Sequence, residues 1–248
     1  MSKICIDVGG TKISSALFVN NELQDINTEK TTEDVIIQIK EIIKARKTPE
    51  VDCICIAWAG WVSQEGNILH SPHLEVNNFN LQHYLKELFG IPVFVDNDAN
   101  VFTLSESINR ELKEVVLGIT IGTGIGAGIS YQGGLFRGTD NFAGEIGHQR
   151  IGQFTAEQWF AGIAGDIAEN AERRISVMTE WLSNLSLAYN PSTIVIGGTV
   201  GRKVWSRHSP LLQNQINHLL AKFPSKPVLV FSDDEHAVLR GTPYLAGE

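Results

Sequence analysis

A strand, a glycine turn, a second strand and then a helix occur in that order twice in this chain, once near Ile4 and again near Val116. In the first copy Lys3-Ile-Cys-Ile-Asp-Val8 closes on Gly9-Gly10 and Ile13–Val19 follows, which predicts a hairpin. In the second, Val115–Ile121 and Gly126–Tyr131 are joined through a glycine-rich turn. Thr31 and Asp34 have the spacing of a capping box, and Val35, Ile39, Ile42 and Ile43 recur at helical intervals behind them. Val51–Ala57 and Ile91–Val95 read as strands, the latter with Pro92 suiting a sheet edge, and 59–80 reads as loop. Helices are predicted over Leu81–Leu88, from Asp98 onward, through most of Phe154–Tyr189 and from Leu212 to Phe223. Thr193–Ile196 and Val228–Phe231 complete the strands, and a short helix from Asp233 to Leu245 closes the chain. The mixture predicts an α/β fold with mixed sheets in two similar halves. The expected division is 1–113 and 114–248, with the closing helix (about 233–248) in reach of the first half.

Composition narrows the function. A chain of 248 residues has length for two domains and a sizeable core without disulfides. Twenty Lys+Arg against 28 Asp+Glu give a net charge of −8, with no basic run, so nucleic acid and anionic membrane are poor partners. No membrane span and no signal peptide are expected, and three cysteines are too few for a disulfide scaffold, so a cytoplasmic setting is the expectation. Glycine is distributed unevenly: 11 of the 23 lie between Gly118 and Gly152.

Five motifs carry chemistry. In Asp7-Val-Gly-Gly-Thr-Lys12 the glycine pair Gly9-Gly10 lets backbone N–H groups approach an anion. There Thr11 offers a hydroxyl, Lys12 adds charge and Asp7 suits Mg²⁺ held through water; the alternative is a tight hairpin with a solvated Asp7. Gly122-Thr-Gly-Ile-Gly126 is neither a P-loop nor a dinucleotide fingerprint, because a strand follows it rather than a helix. It reads as a second phosphate hairpin or as a turn required by sheet geometry. In Asp96-Asn-Asp-Ala-Asn100, Asp98 is a helix N-cap or a general base for a substrate hydroxyl, and Asn97 suits a vicinal diol. Gly144-Glu-Ile-Gly-His148 is a metal half-site, a hydroxyl-binding pair or a structural turn. Ile194-Val-Ile-Gly-Gly-Thr199 is a buried strand ending in a turn, or a bare backbone surface for an adenosine.

Taken in order, these motifs resemble the ROK family of sugar kinases and sugar-responsive repressors. The resemblance spans residues 4 to about 200. It implies two actin-like (RNase H-like) domains with mixed sheets and an ATP/sugar cleft between them. By position it implies Asp98 as catalytic base, Asn97, Gly60 and Asn78 (or Asn77) as sugar ligands, and Glu145 and His148 near the anomeric end. It places phosphates on Asp7, Gly9, Gly10, Thr11 and Lys12, and on Gly122, Thr123 and Gly124, with Gly197 and Gly198 near the adenosine and Mg²⁺ on Asp7 through water. The family's zinc loop after Gly-His has no counterpart here, since no cysteine follows Cys55, so no zinc is expected. Cys53 and Cys55 share one face of a strand and read as core. Glu157, which resembles the glutamate after that loop, is expected to face the sugar. His73 stands where many members carry Asn. The helical region after Gly162 is shorter than the family's, which bears on a homodimer.

The resulting expectation is ATP-dependent phosphorylation of a hexose or N-acetylhexosamine at the 6-hydroxyl. Candidates include N-acetylmannosamine, glucose, mannose, fructose and allose. The strand beginning at Ile4 leaves no room for the repressors' helix-turn-helix. The alternative is a non-catalytic sugar-binding sensor or relic lacking a DNA-binding domain.

Overall fold

The structure, a computed structural model, describes residues 2–162 and 171–247. The chain forms two compact units. The first comprises the chain through Ser105, Gly138–Phe142 and the chain from His236 on; the second comprises Glu106–Arg137 with Ala143–Glu235. The part of the predicted helical stretch at 163–170 lies outside the described residues.

The first unit is built on β1 (Ser2–Val8), β2 (Lys12–Val19), β3 (Glu22–Lys30), β4 (Val51–Trp58) and β8 (Val93–Asn97) in the sheet order β3-β2-β1-β4-β8. β1 and β2 pair antiparallel, as do β2 and β3; β1, β4 and β8 run parallel. Ile and Cys fill β1 and β4 because parallel strands bury both faces. Helix α1 (Val35–Arg46) turns Val35, Ile39, Ile42 and Ile43 onto that sheet, as their spacing predicts. Its start differs from the expectation. Asp34 occupies the cap position without a side-chain cap bond, and the Thr31 hydroxyl instead donates to the Gly9 carbonyl at 2.7 Å. The thiols of Cys53 and Cys55 lie 3.8 Å apart in the core, and burial pushes the Cys5 thiol up to about 12.

Two groups of strands escaped the sequence reading. β3 carries a polar, largely exposed sequence with no alternation; its antiparallel pairing to β2, through Asn20 and Asn21 at positive φ, holds it in the sheet. The expected loop 59–80 contains β5 (Trp61–Val62), β6 (Asn67–Ser71) and β7 (Val76–Asn80), a small antiparallel sheet. Helix α2 (Leu81–Phe89) follows and stops at Gly90 in the left-handed conformation. β8 is the sheet edge, as Pro92 suggested, and α3 (Asp98–Asn109) leaves from its end. The closing segment is a short α-helix, Ala237–Gly241, and a 3₁₀ stretch, Thr242–Gly247, both packed on β1.

The second unit repeats the strand pattern. β9 (Val116–Ile121) and β10 (Ile125–Tyr131) form a hairpin extended by β11 (Gly134–Leu135), while β14 (Thr193–Gly197) and β15 (Val228–Phe231) add in parallel. Its order, β11-β10-β9-β14-β15, matches the first sheet position by position. A short hairpin, β12 (Arg150–Ile151) and β13 (Phe154–Thr155), leads into α4 (Ala156–Phe160), which Thr155 and Gln158 start with a reciprocal capping box. Ile175, Met178, Leu182 and Leu185 of α5 (Ala171–Tyr189) meet Leu212 and Ile216 of α7 (Ser209–Leu219) in the core; α6 (Gly198–Lys203) caps the end of β14.

Candidate active site

In the first unit, β1, β4 and β8 end side by side: Val8 pairs with Trp58, and Trp58 with Asn97. Open α/β sheets present ligands beyond the carboxyl ends of their parallel strands. Asp7, Gly60, Asn97 and Asp98 all lie at that end. Burial raises the pKa of Asp7 to about 7, the neighbouring Asp98 carboxylate adds to the rise, and Lys12 opposes it. Asp7, Asp98 and Lys12 are therefore one electrostatic cluster, with two carboxylates against one ammonium.

The turn between β1 and β2 is tightly made. The Gly9 N–H donates to the Lys12 carbonyl at 3.0 Å, and Thr31 ties the turn down through its hydroxyl and through its N–H, which donates to the Thr11 carbonyl at 3.1 Å. A Cβ at Gly10 would lie 2.6 Å from His73 Cβ, so glycine here lets His73 pack against the turn.

Asn97 takes the capping role that sequence had offered Asp98. Its Oδ1 accepts the N–H of Ala99 at 2.9 Å and of Asn100 at 3.1 Å, starting α3. Its Nδ2 donates to the Gly60 carbonyl at 2.9 Å. Most of this amide's bonding capacity is thus used inside the protein, leaving one Nδ2 hydrogen for a ligand. Asp98 is partly exposed, with Oδ1 accepting the Ala99 N–H at 2.9 Å. Beneath the turn Asp96 is buried, its Oδ1 accepting from the Asn97 N–H, Asn100 Nδ2 and Asn141 Nδ2. Sequence reasoning missed Asn141, which reaches this network from Gly138–Phe142 and carries no local signal of doing so. Asn78 is exposed on β7 at positive φ, while Asn77 Oδ1 bonds His70 Nδ1 at 2.7 Å.

The second unit gathers the other expected residues. Gly122 N–H donates to the Gly124 carbonyl at 2.9 Å, closing the turn between β9 and β10. Gly197 pairs with Thr120 in the neighbouring strand, and Gly198, at φ +80, has the Ile121 carbonyl 2.5 Å from where a Cβ would stand. Gly197-Gly198 therefore lies against the base of that turn. Glu157 Oε2 accepts the Ile125 N–H at 3.0 Å and packs against Gly124, so one carboxylate oxygen braces the glycine hairpin. Glu145 and His148 stand at either end of a 3₁₀ turn, with Oε2 and Nε2 3.6 Å apart and both side chains well exposed. Gly144, at φ +104, would set a Cβ 2.3 Å from the Ala127 carbonyl. Gly144→Ala is expected to destabilise the protein by about 3 kcal/mol or more through overlap and strain, read as a lower denaturation midpoint.

Two α/β sheets of the same strand order, each opening on a hairpin with a glycine turn, make a fold of the actin-like type. The ROK hexokinase of Thermus thermophilus superposes with a TM-score of 0.84 at 23% identity, over 99% of this chain and 97% of that one. A ROK family glucokinase from Streptomyces griseus, solved in complex with glucose and AMPPNP, gives 0.77 at 21% identity over 98% of each chain. In sequence, the N-acetyl-D-glucosamine kinase of Vibrio atlanticus is 34% identical over 165 residues, 62% of this chain and 53% of that protein. The chain thus spans about half the length of the curated relatives it matches. The ROK family model matches residues 3–166, and the chain belongs to the ROK family.

Proposed function

We propose that the chain is an ATP-dependent sugar kinase that transfers the terminal phosphoryl group of ATP to the 6-hydroxyl of a hexose or N-acetylhexosamine. The observation that carries this reading is Asp98: a partly exposed carboxylate at the carboxyl end of β8, with its helix start secured by Asn97. In the proposed reaction Asp98 removes the proton of the acceptor hydroxyl as its oxygen bonds phosphorus and the bond to ADP breaks. Lys12 and the backbone N–H groups of Gly10 and Thr11 are read as the phosphate donors of the first turn, with the Gly9 N–H closing that turn. Gly122, Thr123, Gly124, Gly197 and Gly198 are read as serving the nucleotide, the Gly122 N–H again closing its turn. Asn97, Gly60, Asn78, Glu145, His148 and Glu157 are read as the acceptor set. Two repelling carboxylates with one lysine fit a hard divalent cation. Asp7 would hold Mg²⁺, through water, and the ion would supply neutralisation of phosphate charge. The names of the relatives support the substrate class: N-acetyl-D-glucosamine for the Vibrio enzymes, glucose with an ATP analogue for the Streptomyces structure.

The test is ADP release with Mg-ATP and a panel of N-acetylglucosamine, N-acetylmannosamine, glucose, mannose, fructose and allose at millimolar concentration. Sugar-dependent ADP formation, with the product a 6-phosphate by NMR, is expected for at least one of them. Sugar binding without ADP from any of them would replace the kinase by the sensor.

A further inference from the structure

Trp61 and Phe142 form an aromatic corner that the proton-transfer chemistry leaves unused. Both lie in the first unit, and both are held from the turn that carries Asp98. The carbonyls flanking Trp61 are bonded by two asparagines: Gly60 by Asn97 Nδ2 at 2.9 Å, and Val62 by Asn141 Nδ2 at 2.6 Å. Asn141 Nδ2 also reaches Asp96 Oδ1 at 3.3 Å, and Phe142 follows it directly in the chain. One buried amide therefore fixes the backbone of both aromatic residues against the Asp96–Asp98 turn.

The rings themselves are supported. Trp61 and Phe142 pack edge to face, with centroids 5.5 Å apart and planes at 82°. Trp61 also packs on His70, at 5.4 Å and 60°, and His70 is fixed in turn by Asn77. Yet Trp61 and Phe142 each keep 38% of their surface exposed. Trp61 lies in β5, paired antiparallel with His70 of β6, and the backbone of Gly60 before it approaches the His70 carbonyl so closely that only glycine fits there. Large aromatic rings that are rigid, exposed and adjacent to polar hydrogen-bonding groups match one kind of small ligand well. A pyranose has hydroxyls at its rim and an apolar face of C–H bonds.

We infer that Trp61 and Phe142 are the acceptor platform of this chain, with Trp61 stacking the C–H face of the sugar ring and Phe142 closing the corner. The platform selects gluco-configured acceptors, whose ring hydrogens are axial, over epimers such as allose, in which an axial hydroxyl interrupts the face. The inference rests on the sugar-kinase reading for the reaction it serves, but binding alone can be measured without that reaction.

The experiment combines calorimetric titration with glucose and N-acetylglucosamine, without nucleotide, and steady-state kinetics, for wild type, Trp61→Ala, Trp61→Phe and Phe142→Ala. Trp61→Ala is expected to raise sugar Kd and KM about tenfold or more, with a much smaller change in kcat and in KM for ATP. Trp61→Phe recovers most of the loss, Phe142→Ala gives an intermediate one, and preference for glucose over allose narrows in Trp61→Ala. If Trp61→Ala and Phe142→Ala bind these sugars within about twofold of wild type, the platform is wrong, and the kinase reading survives if ADP is formed. If binding depends on Trp61 but no ADP appears, the platform stands and the kinase reading falls. Absence of binding of both sugars by wild type overturns the platform as a selector of gluco-configured acceptors, and ADP release over the full sugar panel decides the kinase reading separately. Should Trp61→Ala not fold, Phe142→Ala still decides.

Discussion

Replacing Asp98 by Asn is expected to lower kcat by about 10²–10⁴-fold, while the Kd for the sugar changes by less than about threefold. The separation is expected because the start of α3 does not rest on Asp98 alone. The cap of α3 comes from Asn97 Oδ1, bonded to the N–H groups of Ala99 and Asn100. The bond that Asp98 Oδ1 accepts from the Ala99 N–H is reproduced by an asparagine oxygen. The substitution removes the proton acceptor and keeps the shape, so the thermal midpoint should not fall, and relief of the repulsion on Asp7 acts in the stabilising direction. Asn97→Ala should behave in the opposite sense: it loses the cap and the Gly60 bond together, and stability falls by about 1–2 kcal/mol along with sugar affinity. A kcat for Asp98→Asn within about tenfold of wild type would remove Asp98 from the role of base.

Much of the sheet architecture was legible because it is written in local patterns. Ile-rich strands flanked by glycine pairs announce buried parallel strands and hairpins, and the repeat of that unit near Ile4 and Val116 matches two sheets of the same strand order. What stayed hidden depends on contacts between distant residues. β3 has no apolar alternation to read, since its place is set by pairing with β2. Thr31 looked like a helix cap because the spacing was right, yet its hydroxyl is drawn to Gly9, 22 residues back. The candidate site was legible as single strand-end motifs, Asp7 and Asp98 among them. Their mutual repulsion was not, nor was the grip of Asn141 on Val62 and Asp96, across 79 and 45 residues of chain.

That repulsion makes Asp7 the second decisive position. Asp7→Asn is expected to make the protein more stable at pH 8 while lowering kcat/KM for Mg-ATP by about a hundredfold. In the fold, burial first and Asp98 second raise the pKa of Asp7 from 3.8 to about 7. Between those values the folded state keeps a proton that the unfolded chain has released, so stability falls as pH rises through the window and the full penalty applies above it. A shift of this size is worth up to about 4 kcal/mol above pH 7, which is several degrees in thermal midpoint for a chain of this size. Asparagine has no charge to bury, so the midpoint of the variant should exceed that of wild type at pH 8 and approach it at pH 5. Wild type losing no stability relative to the variant between pH 5 and pH 8 would refute the strained carboxylate. Mg²⁺ supplies a readout independent of turnover: a cation held by Asp7 binds the ionised form, so adding it at pH 8 should raise the midpoint of wild type and leave Asp7→Asn nearly unmoved. An equal rise in both would place the ion elsewhere.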